Sequence, residues 1–216
     1  MNLLFIIGWL DMAQTLKTEI KDRINNSAFQ VFFRKDYRSA KMSEIANEAN
    51  ISVGNIYRYY KNKEDLFYQI IPPEQVSNIK KMLTKRIQAA YGINDVKKLD
   101  QEAQYWKIFE EQLKFMLEHR HMIVILLCNS RGTIYENFKD ELINLMKTLT
   151  KKYLKSIRAS GKRTPETDFT MDLIYNHLID VIVKTLSKFE DRKKANLIIR
   201  KFLSYHLAGL KAFHGF

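Results

Sequence analysis

Residues 42–60 contain the feature that most constrains this fold: two short helical segments joined by a tight turn. Ala46 is small enough for the place where two such helices cross. Asn50 follows four positions later, where the turn requires a residue that tolerates a left-handed backbone. Ile51 can fill the space beneath the turn, and Ser52 is a suitable N-cap for the second helix. This spacing predicts a helix-turn-helix.

Helical periodicity continues through the rest of the chain. Apolar residues recur every fourth position from Leu16 to Phe32 and predict a first helix that ends near residues 34–36. Asn62 should cap a fourth helix, which Pro72-Pro73 ends or interrupts. Further helical stretches follow at about 74–90, 101–119, 121–129, 134–159, 167–189 and 192–213, with loops at 91–100 and 160–165. Because no strand pattern occurs, the sequence predicts an all-α protein.

The pattern divides the chain into three parts. Residues 12–71 form the expected helix-turn-helix domain of three helices with its joining helix, and residues 72–216 form a larger helical domain. Residues 1–11 form an extra N-terminal arm, whose apolar run at 3–7 is too short to cross a bilayer. We expect Met12 to be the natural start; the alternative is that the protein starts at Met1 and the apolar arm packs on the body.

Charge and cysteine content narrow the functional class. The net charge is +12, which favours attraction to nucleic acid. Residues 12–71 contribute only +3 of it, from 10 Lys and Arg against 7 Asp and Glu, so bulk charge does not locate the binding site. A single cysteine excludes an internal disulfide and fits a reducing cytoplasm, where we expect the protein to be. Since the apolar run at 3–7 is too short to cross a bilayer, we expect no membrane association.

The second helix of the helix-turn-helix carries a polar and aromatic face. Side chains on this face offer amide, phenol and guanidinium groups to base edges and phosphates, and Gly54 lets the backbone approach DNA closely. An ordinary helical hairpin with an aromatic face is the alternative. The residues of this face are Val53, Asn55, Tyr57, Arg58 and Tyr59.

About fifty residues of this region resemble the DNA-binding domain of the TetR/AcrR family of bacterial transcriptional regulators. The matching positions are Ala28, Phe32, Tyr37, Ile45, Ala46, Ala49, Ile51, Ser52, Gly54, Ile56, Tyr57, Tyr59, Tyr60, Lys63 and Leu66. The resemblance implies that Val53, Asn55 and Arg58 face bases. It also implies that Tyr57, Tyr59 and Lys63 hold phosphates, while Ser52 caps the recognition helix.

Five residues depart from the family pattern, among them Tyr60, which replaces the usual Phe. Asp36 and Asn50 replace glycines, and both residue types tolerate positive φ. Ala40 and Lys41 replace a Thr/Ser pair, so the usual hydroxyl cap and phosphate contact at the start of the second helix are not expected from these two positions. Ser39 and Ser43 are the candidates to replace that hydroxyl.

The last two helical stretches are apolar on more than one face, so each must be covered on two sides. A large monomeric core would satisfy this requirement, as would a twofold mate, and the family resemblance implies a four-helix dimer bundle. We expect a homodimer with an interface at Leu178, Ile182, Phe202, Tyr205, Gly209 and Phe213.

The middle of the chain is rich in aromatic residues and methionine. Such residues at helical spacing often form only a core, but the resemblance implies a pocket for a small effector. Cys128, within the apolar run IVILLCNS, should be a buried and inert thiol. The candidate pocket residues are Trp106, Phe109, Met116, Met122, Cys128, Arg131, Tyr135 and Phe138.

The sequence contains no motif for metal binding, phosphate binding or catalysis. His119 and His121 are two positions apart and point to different sides of a helix, which is unsuitable for a shared metal. We therefore expect no cofactor and no metal. The predicted function is a ligand-responsive repressor that a small, largely apolar effector releases from a palindromic operator. A dimer controlled by a protein partner and a helical enzyme are the alternatives, and an apolar cavity in the C-terminal domain would favour ligand control.

Overall fold

The computed structural model describes residues 3–93, 103–157 and 164–214. Within these ranges the chain is helical and has no strand, which confirms the predicted all-α class. Most of the predicted loops at 91–100 and 160–165 lies outside the described residues. The helices are α1 (Leu3–Arg34), α2 (Met42–Glu48), α3 (Val53–Ile56), α4 (Lys63–Ile70), α5 (Pro73–Gln88), α6 (Ala103–Glu118), α7 (Arg120–Val124), α8 (Phe138–Ser156), α9 (Pro165–Lys188) and α10 (Arg192–His214).

Helix boundaries are set by local chemistry. Helix α4 ends at Ile70, and Pro73 is the first residue of α5, where a missing N–H costs nothing. The prediction that the proline pair ends α4 is therefore confirmed. Asn50 has a φ of 52°, the left-handed conformation that the turn after α2 was predicted to need.

The N-terminal four helices enclose one core. Ile24, Ala28 and Phe32 of α1 are fully buried, together with Ile45 of α2 and Ile56 of α3. Burial of an aliphatic or aromatic side chain contributes about 1.5–3 kcal/mol. Packing of this core, more than helix propensity, fixes the angle of the short helix α3, because isolated helices of this length are not stable.

The C-terminal domain packs α5 against α6 and α8, and α9 against α7, α8 and α10. A π-helical turn, Ile125–Asn129, continues α7. Ile125 and Leu126 of this turn are almost completely buried at the centre of the protein. None of the helices in the part of the chain that the structure describes has the length and apolarity required for a membrane span.

The two domains touch along α1 as well as through α4 and α5. Helix α1 packs against α7 and the π-helical turn, and Asn129 joins the two with hydrogen bonds. The expectation that a single helix joins the domains is therefore wrong. Periodicity detects a helix but does not reveal which other helices its outer face contacts.

Candidate nucleic-acid interface and internal cavity

The recognition helix α3 is held by its two ends. Ser52 Oγ accepts a hydrogen bond from the backbone N–H of Asn55 at 3.2 Å, so Ser52 caps α3. After Ile56 the chain continues in tight turns, with N–H groups bonding three residues back. The α-helix is consequently shorter than the predicted stretch from 53 to about 60, and Tyr57 and Tyr59 lie in the turn that comes after it.

The predicted DNA-facing residues differ in exposure. Tyr57 is 51% exposed and Arg58 is also exposed, whereas Val53, Asn55 and Tyr59 are half-buried. All five belong to α3 and the turn after it, so one surface of the domain carries amide, phenol and guanidinium groups.

Gly54 is exposed, and a Cβ atom added to it would meet only the Ser52 hydroxyl, at 4.0 Å. Nothing inside the protomer therefore requires a glycine at this position. A close approach from outside would require one, which agrees with a backbone that lies against a ligand surface.

Helix α2 begins without a hydroxyl cap. Lys41 occupies the N-cap position, and the Glu44 carboxylate instead accepts a hydrogen bond from the Lys41 N–H at 3.0 Å. Lys35 forms an ion pair with Glu44. The pKa of the Glu44 carboxyl is lowered, first by the hydrogen bond from the Lys35 side chain and then by that from the Lys41 backbone. Ser39 does not cap α2 and bonds with Asp36 in the preceding turn.

The ammonium group of Lys63 is used within the domain. It donates hydrogen bonds to the carbonyl oxygens of Tyr37 at 2.7 Å and Ala40 at 2.8 Å, and it lies 4.5 Å from the centre of the Tyr37 ring. Desolvation lowers the pKa of this lysine. Lys63 therefore fixes the loop between α1 and α2, and it would have to release these carbonyls to hold a phosphate.

Other exposed cations lie closer to solvent. Arg38 and Lys41 precede α2, and Lys61 lies just beyond the turn after α3. In the described parts of the chain none of these three forms an ion pair. Sequence reasoning did not single them out, although their positions at helix boundaries next to the recognition unit were a usable signal.

A seam of hydrogen bonds connects this domain to the C-terminal one. The Asn129 side chain donates to the carbonyl oxygens of Phe32 at 3.0 Å and Phe33 at 2.8 Å, and its own carbonyl accepts the N–H of Tyr37 at 2.8 Å. Tyr135 Oη donates to the carbonyl of Ile71 at 3.3 Å. The C-terminal domain is thus tied to the end of α1 and to the end of α4.

Arg120 strengthens the same seam from another side. Its guanidinium lies 5.4 Å from the centre of the Phe33 ring and donates to the Phe189 carbonyl at 3.2 Å and to Glu190 at 3.0 Å. It therefore links α1 to the connection between α9 and α10.

Helices α9 and α10 leave large apolar side chains uncovered in the protomer. Large exposed apolar side chains on two helices that pack together are typical of an interaction surface. The exposed fractions are 65% for Phe169, 56% for Leu173, 55% for Leu197, 68% for Tyr205 and 38% for Phe213.

The predicted interface residues divide between this surface and the interior. Tyr205, Gly209 and Phe213 are exposed, and nothing lies within 4 Å of a Cβ placed on Gly209. Ile182 of α9 and Phe202 of α10 are half-buried. Leu178 is 4% exposed and packs inside its own protomer, so it cannot contribute to an outer face.

A cavity of about 290 Å³ lies inside the C-terminal domain between α5, α6, α8, α9 and α10. Its wall is mostly apolar and carries a few polar groups, which is the usual composition of a small-molecule site. Apolar lining residues include Leu83, Trp106, Phe109, Leu203, Leu207 and Leu210; polar ones include Arg86, Thr150, Tyr153, Tyr175, Arg200 and His206.

Only part of the predicted pocket set lines this cavity. Trp106 and Phe109 do, whereas Met116 and Phe138 line a smaller neighbouring cavity of about 70 Å³. The remaining predicted residues lie away from both cavities. These are Met122, Cys128, Arg131 and Tyr135.

Two of those residues have other surroundings that explain their position. Tyr135 faces the inter-domain seam, as its bond to Ile71 indicates. Cys128 is exposed, so its predicted burial is wrong. It belongs to the π-helical turn, whose wider winding changes which side chains point inward.

The polar cavity residues were missed by sequence reasoning. Arg86 comes after Val76, Ile79 and Leu83 on the inner face of α5, and His206 comes after Leu203 on the inner face of α10. A charged or titratable residue at an inward position of an apolar stripe was the available signal.

Burial controls the ionisation of these groups. Desolvation, with the nearby Arg86 and His177, lowers the pKa of His206 to about 4, so the imidazole is neutral at pH 7. Tyr175 shares a hydrogen bond with Thr150, and desolvation raises the pKa of its phenol to about 12. No group of three or more His, Cys, Asp or Glu is arranged for a metal ion in the described ranges.

A capped, exposed recognition helix on the core of the four N-terminal helices is the arrangement of a helix-turn-helix DNA-binding domain. The family described as bacterial regulatory proteins, TetR family, matches residues 24–70. This range contains α2, α3, α4 and the end of α1. The N-terminal domain of this chain is therefore similar to that of TetR-family transcriptional regulators.

Proteins named HTH-type transcriptional regulators are among the relatives of this chain. An uncharacterized HTH-type transcriptional regulator of Bacillus subtilis (strain 168), YvkB, is 26% identical over 165 residues, which cover 73% of this chain and 80% of that protein. An HTH-type transcriptional regulator of Staphylococcus aureus (strain USA300) is 36% identical over 53 residues, 24% of this chain and 29% of the relative. For the latter protein the likeness thus spans less than a third of its length.

The crystal structure of NalD, the secondary repressor of the MexAB-OprM multidrug efflux pump in Pseudomonas aeruginosa, overlaps 87% of this chain and 96% of NalD. Sequence identity is 15% and the TM-score is 0.44.

Proposed function

We propose that this chain is a homodimeric repressor that a small molecule releases from a palindromic operator. The observation that carries the proposal is the joint presence of an exposed recognition helix and an apolar cavity in one protomer, connected by a hydrogen-bonded seam. The regulator's DNA-binding domain is residues 12–71, and residues 72–216 bind the effector and form the dimer.

Within the DNA complex we assign two kinds of contact. Val53, Asn55 and Arg58 contact base edges in the major groove, whereas Tyr57 and Tyr59 hold phosphates. Lys63 acts mainly by positioning the loop before α2, because its ammonium already bonds to the Tyr37 and Ala40 carbonyls.

These roles predict different losses of specificity. The operator is first selected from a random duplex library and then varied one base pair at a time. Asn55→Ala should relax preference at one position per half-site by roughly 1–3 kcal/mol. Tyr57→Phe should weaken binding to all sequences alike, because phosphates carry no sequence identity. Equal, sequence-independent losses for both variants would contradict the division of roles.

The uncovered apolar face of α9 and α10 supports the homodimer. A second copy would bury Phe169, Leu173, Leu197 and Tyr205, which are more than half exposed in the protomer. Two recognition helices would then lie about one helical turn of DNA or a multiple of it apart, which requires a palindromic site. Sedimentation velocity at micromolar concentration should give a species of twice the 25.6 kDa protomer mass.

The cavity favours control by a small molecule over control by a protein partner. Its wall is formed by five helices, of which α9 and α10 also carry the proposed dimer face. A ligand there shifts DNA affinity only through its differential affinity for the two arrangements of the domains, and about 1–3 kcal/mol of coupling suffices for a switch.

The direct test of this proposal is native mass spectrometry of protein purified from its own cells, followed by DNA-binding titration before and after removal of any bound molecule. A co-purified small molecule that weakens operator binding when it is added back is the expected result. Protein that carries no small molecule, with a bound polypeptide that alters DNA affinity, would favour the partner-controlled regulator instead.

A further inference from the structure

Arg86 places a positive charge inside the cavity of the C-terminal domain. It lies on the inner face of α5, one turn after the buried Leu83, and lines both the large cavity and the smaller one next to it. The side chain retains some accessible surface even though protein surrounds it, because that surface faces the cavity.

Two guanidinium groups flank one aromatic ring in this cavity. Arg86 lies 5.8 Å and Arg200 5.4 Å from the centre of the Phe109 ring. Arg200 is already neutralised, because it forms an ion pair with Glu110 and donates a hydrogen bond to Asn196 at 2.5 Å. The two arginines therefore lie near the same ring, but only the charge of Arg200 is compensated by a carboxylate.

No carboxylate balances Arg86 in the described parts of the chain. It has no ion pair and no hydrogen bond there, and the residues that line the large cavity include no Asp or Glu. Burial lowers the pKa of this guanidinium, but an arginine remains charged in proteins. An unpaired charge in such surroundings costs several kcal/mol, whereas a paired one costs far less.

The neighbouring polar groups are neutral. His206 has a pKa of about 4, and the phenol of Tyr175 has a pKa of about 12, so neither is charged at pH 7. The cavity thus combines an apolar wall with one unbalanced cation, and a ligand that complements it needs an apolar body and one anionic group.

We infer that the effector is an amphipathic carboxylate, whose anionic group pairs with Arg86 and whose apolar body lies against Trp106, Phe109 and Leu207. This inference rests on the proposed ligand response and specifies its chemistry. A guanidinium binds a carboxylate through two parallel hydrogen bonds. A phosphate ester is less suitable, because its charge of about −1.5 to −2 would exceed the single cation.

The test compares two acids with their uncharged counterparts in calorimetric titrations of the full chain. Decanoate is paired with decanol and naphthoate with naphthyl methanol. At least one acid should bind about tenfold more tightly than its alcohol, a difference of about 1.4 kcal/mol. The same acid should reduce binding to the selected operator.

Variants locate the charge responsible. Arg86→Met should abolish the preference for the acid while leaving the affinity for the alcohol unchanged, and it should raise the melting temperature of the unliganded protein because an unpaired buried charge is removed. Arg86→Lys should retain part of the preference. Lys85→Met is the matched control, since it removes a charge from an exposed neighbouring position of α5.

Two results would overturn the inference: acids that bind no more tightly than their alcohols, or an acid preference that survives Arg86→Met. Operator binding of the unliganded protein, measured on the same preparation, separates this failure from failure of the proposed function. A chain that binds its operator but has no acid preference remains a DNA-binding regulator with a different effector.

Discussion

Replacement of Asn129 by alanine tests whether the inter-domain seam holds the end of α1. The last four carbonyl groups of a helix have no partner within the helix. Asn129 reaches across from the π-helical turn and satisfies two of them, those of Phe32 and Phe33, at 3.0 and 2.8 Å. The alanine variant keeps the backbone bond from Tyr37 and removes only the side-chain amide.

The expected loss is set by these two bonds. A buried or half-buried hydrogen bond contributes about 0.5–1.5 kcal/mol net, so the free energy of unfolding should fall by about 1–3 kcal/mol. Both bonds are partly buried, so water compensates for only part of the loss. Hydrogen exchange should also accelerate in peptides covering residues 29–40, because the end of α1 loses its attachment.

Urea unfolding followed by circular dichroism measures the first effect, at one protein concentration, since the stability of a dimer depends on concentration. Asn26→Ala is the matched control, because Asn26 is exposed on α1, the helix whose end Asn129 contacts. If Asn129→Ala and Asn26→Ala change the unfolding free energy equally, and exchange at 29–40 is unaltered, the seam does not stabilise the domain contact.

Three further outcomes are expected. Lys63→Met, which removes the ammonium bonded to the Tyr37 and Ala40 carbonyls, should destabilise the protein by about 1.5–3 kcal/mol in urea unfolding; a change below a few tenths would contradict its positioning role. Gly209→Trp should weaken the proposed dimer in sedimentation equilibrium without unfolding the protomer, because nothing in the protomer lies within 4 Å of a Cβ at this exposed position; an unchanged dimer constant would place the interface elsewhere. Because the pKa of His206 is lowered, the unfolded chain binds more protons than the folded chain between about pH 6.5 and 4. The free energy of unfolding should therefore fall with acidification across this range, by up to about 1.4 kcal/mol per pH unit. His206→Leu should flatten that slope in denaturant titrations at each pH, and an unaltered slope would contradict the lowered pKa.

The DNA-binding unit was predictable because its determinants are local. The Asn50 turn, the Ser52 cap and the Asn62 cap each act within four residues, so the sequence specifies them without knowledge of distant contacts. Helix positions in the C-terminal domain were predictable for the same reason, since apolar periodicity is also local.

The cavity and the exposed apolar face of α9 and α10 could not be predicted in this way, because both depend on tertiary packing. The cavity brings together Arg86 of α5 and His206 of α10, which are far apart in sequence. Periodicity placed Leu178 on an apolar face but did not distinguish the interior from an outer surface. Cys128 was misassigned because an apolar run implies burial only when the helix winds regularly, and here it does not.

The π-helical turn makes the domain seam sensitive to the winding of one short segment. A π-turn accommodates one residue more than an α-turn, and such turns occur often at functional sites. If the same five residues, Ile125–Asn129, were wound as an α-helix, the residues at the end of the segment would be rotated by about 100° about the helix axis. The amide of Asn129 would then point away from the end of α1. The contact between the two domains thus depends on how one turn is wound, and a change of that winding would separate them even with an unchanged sequence.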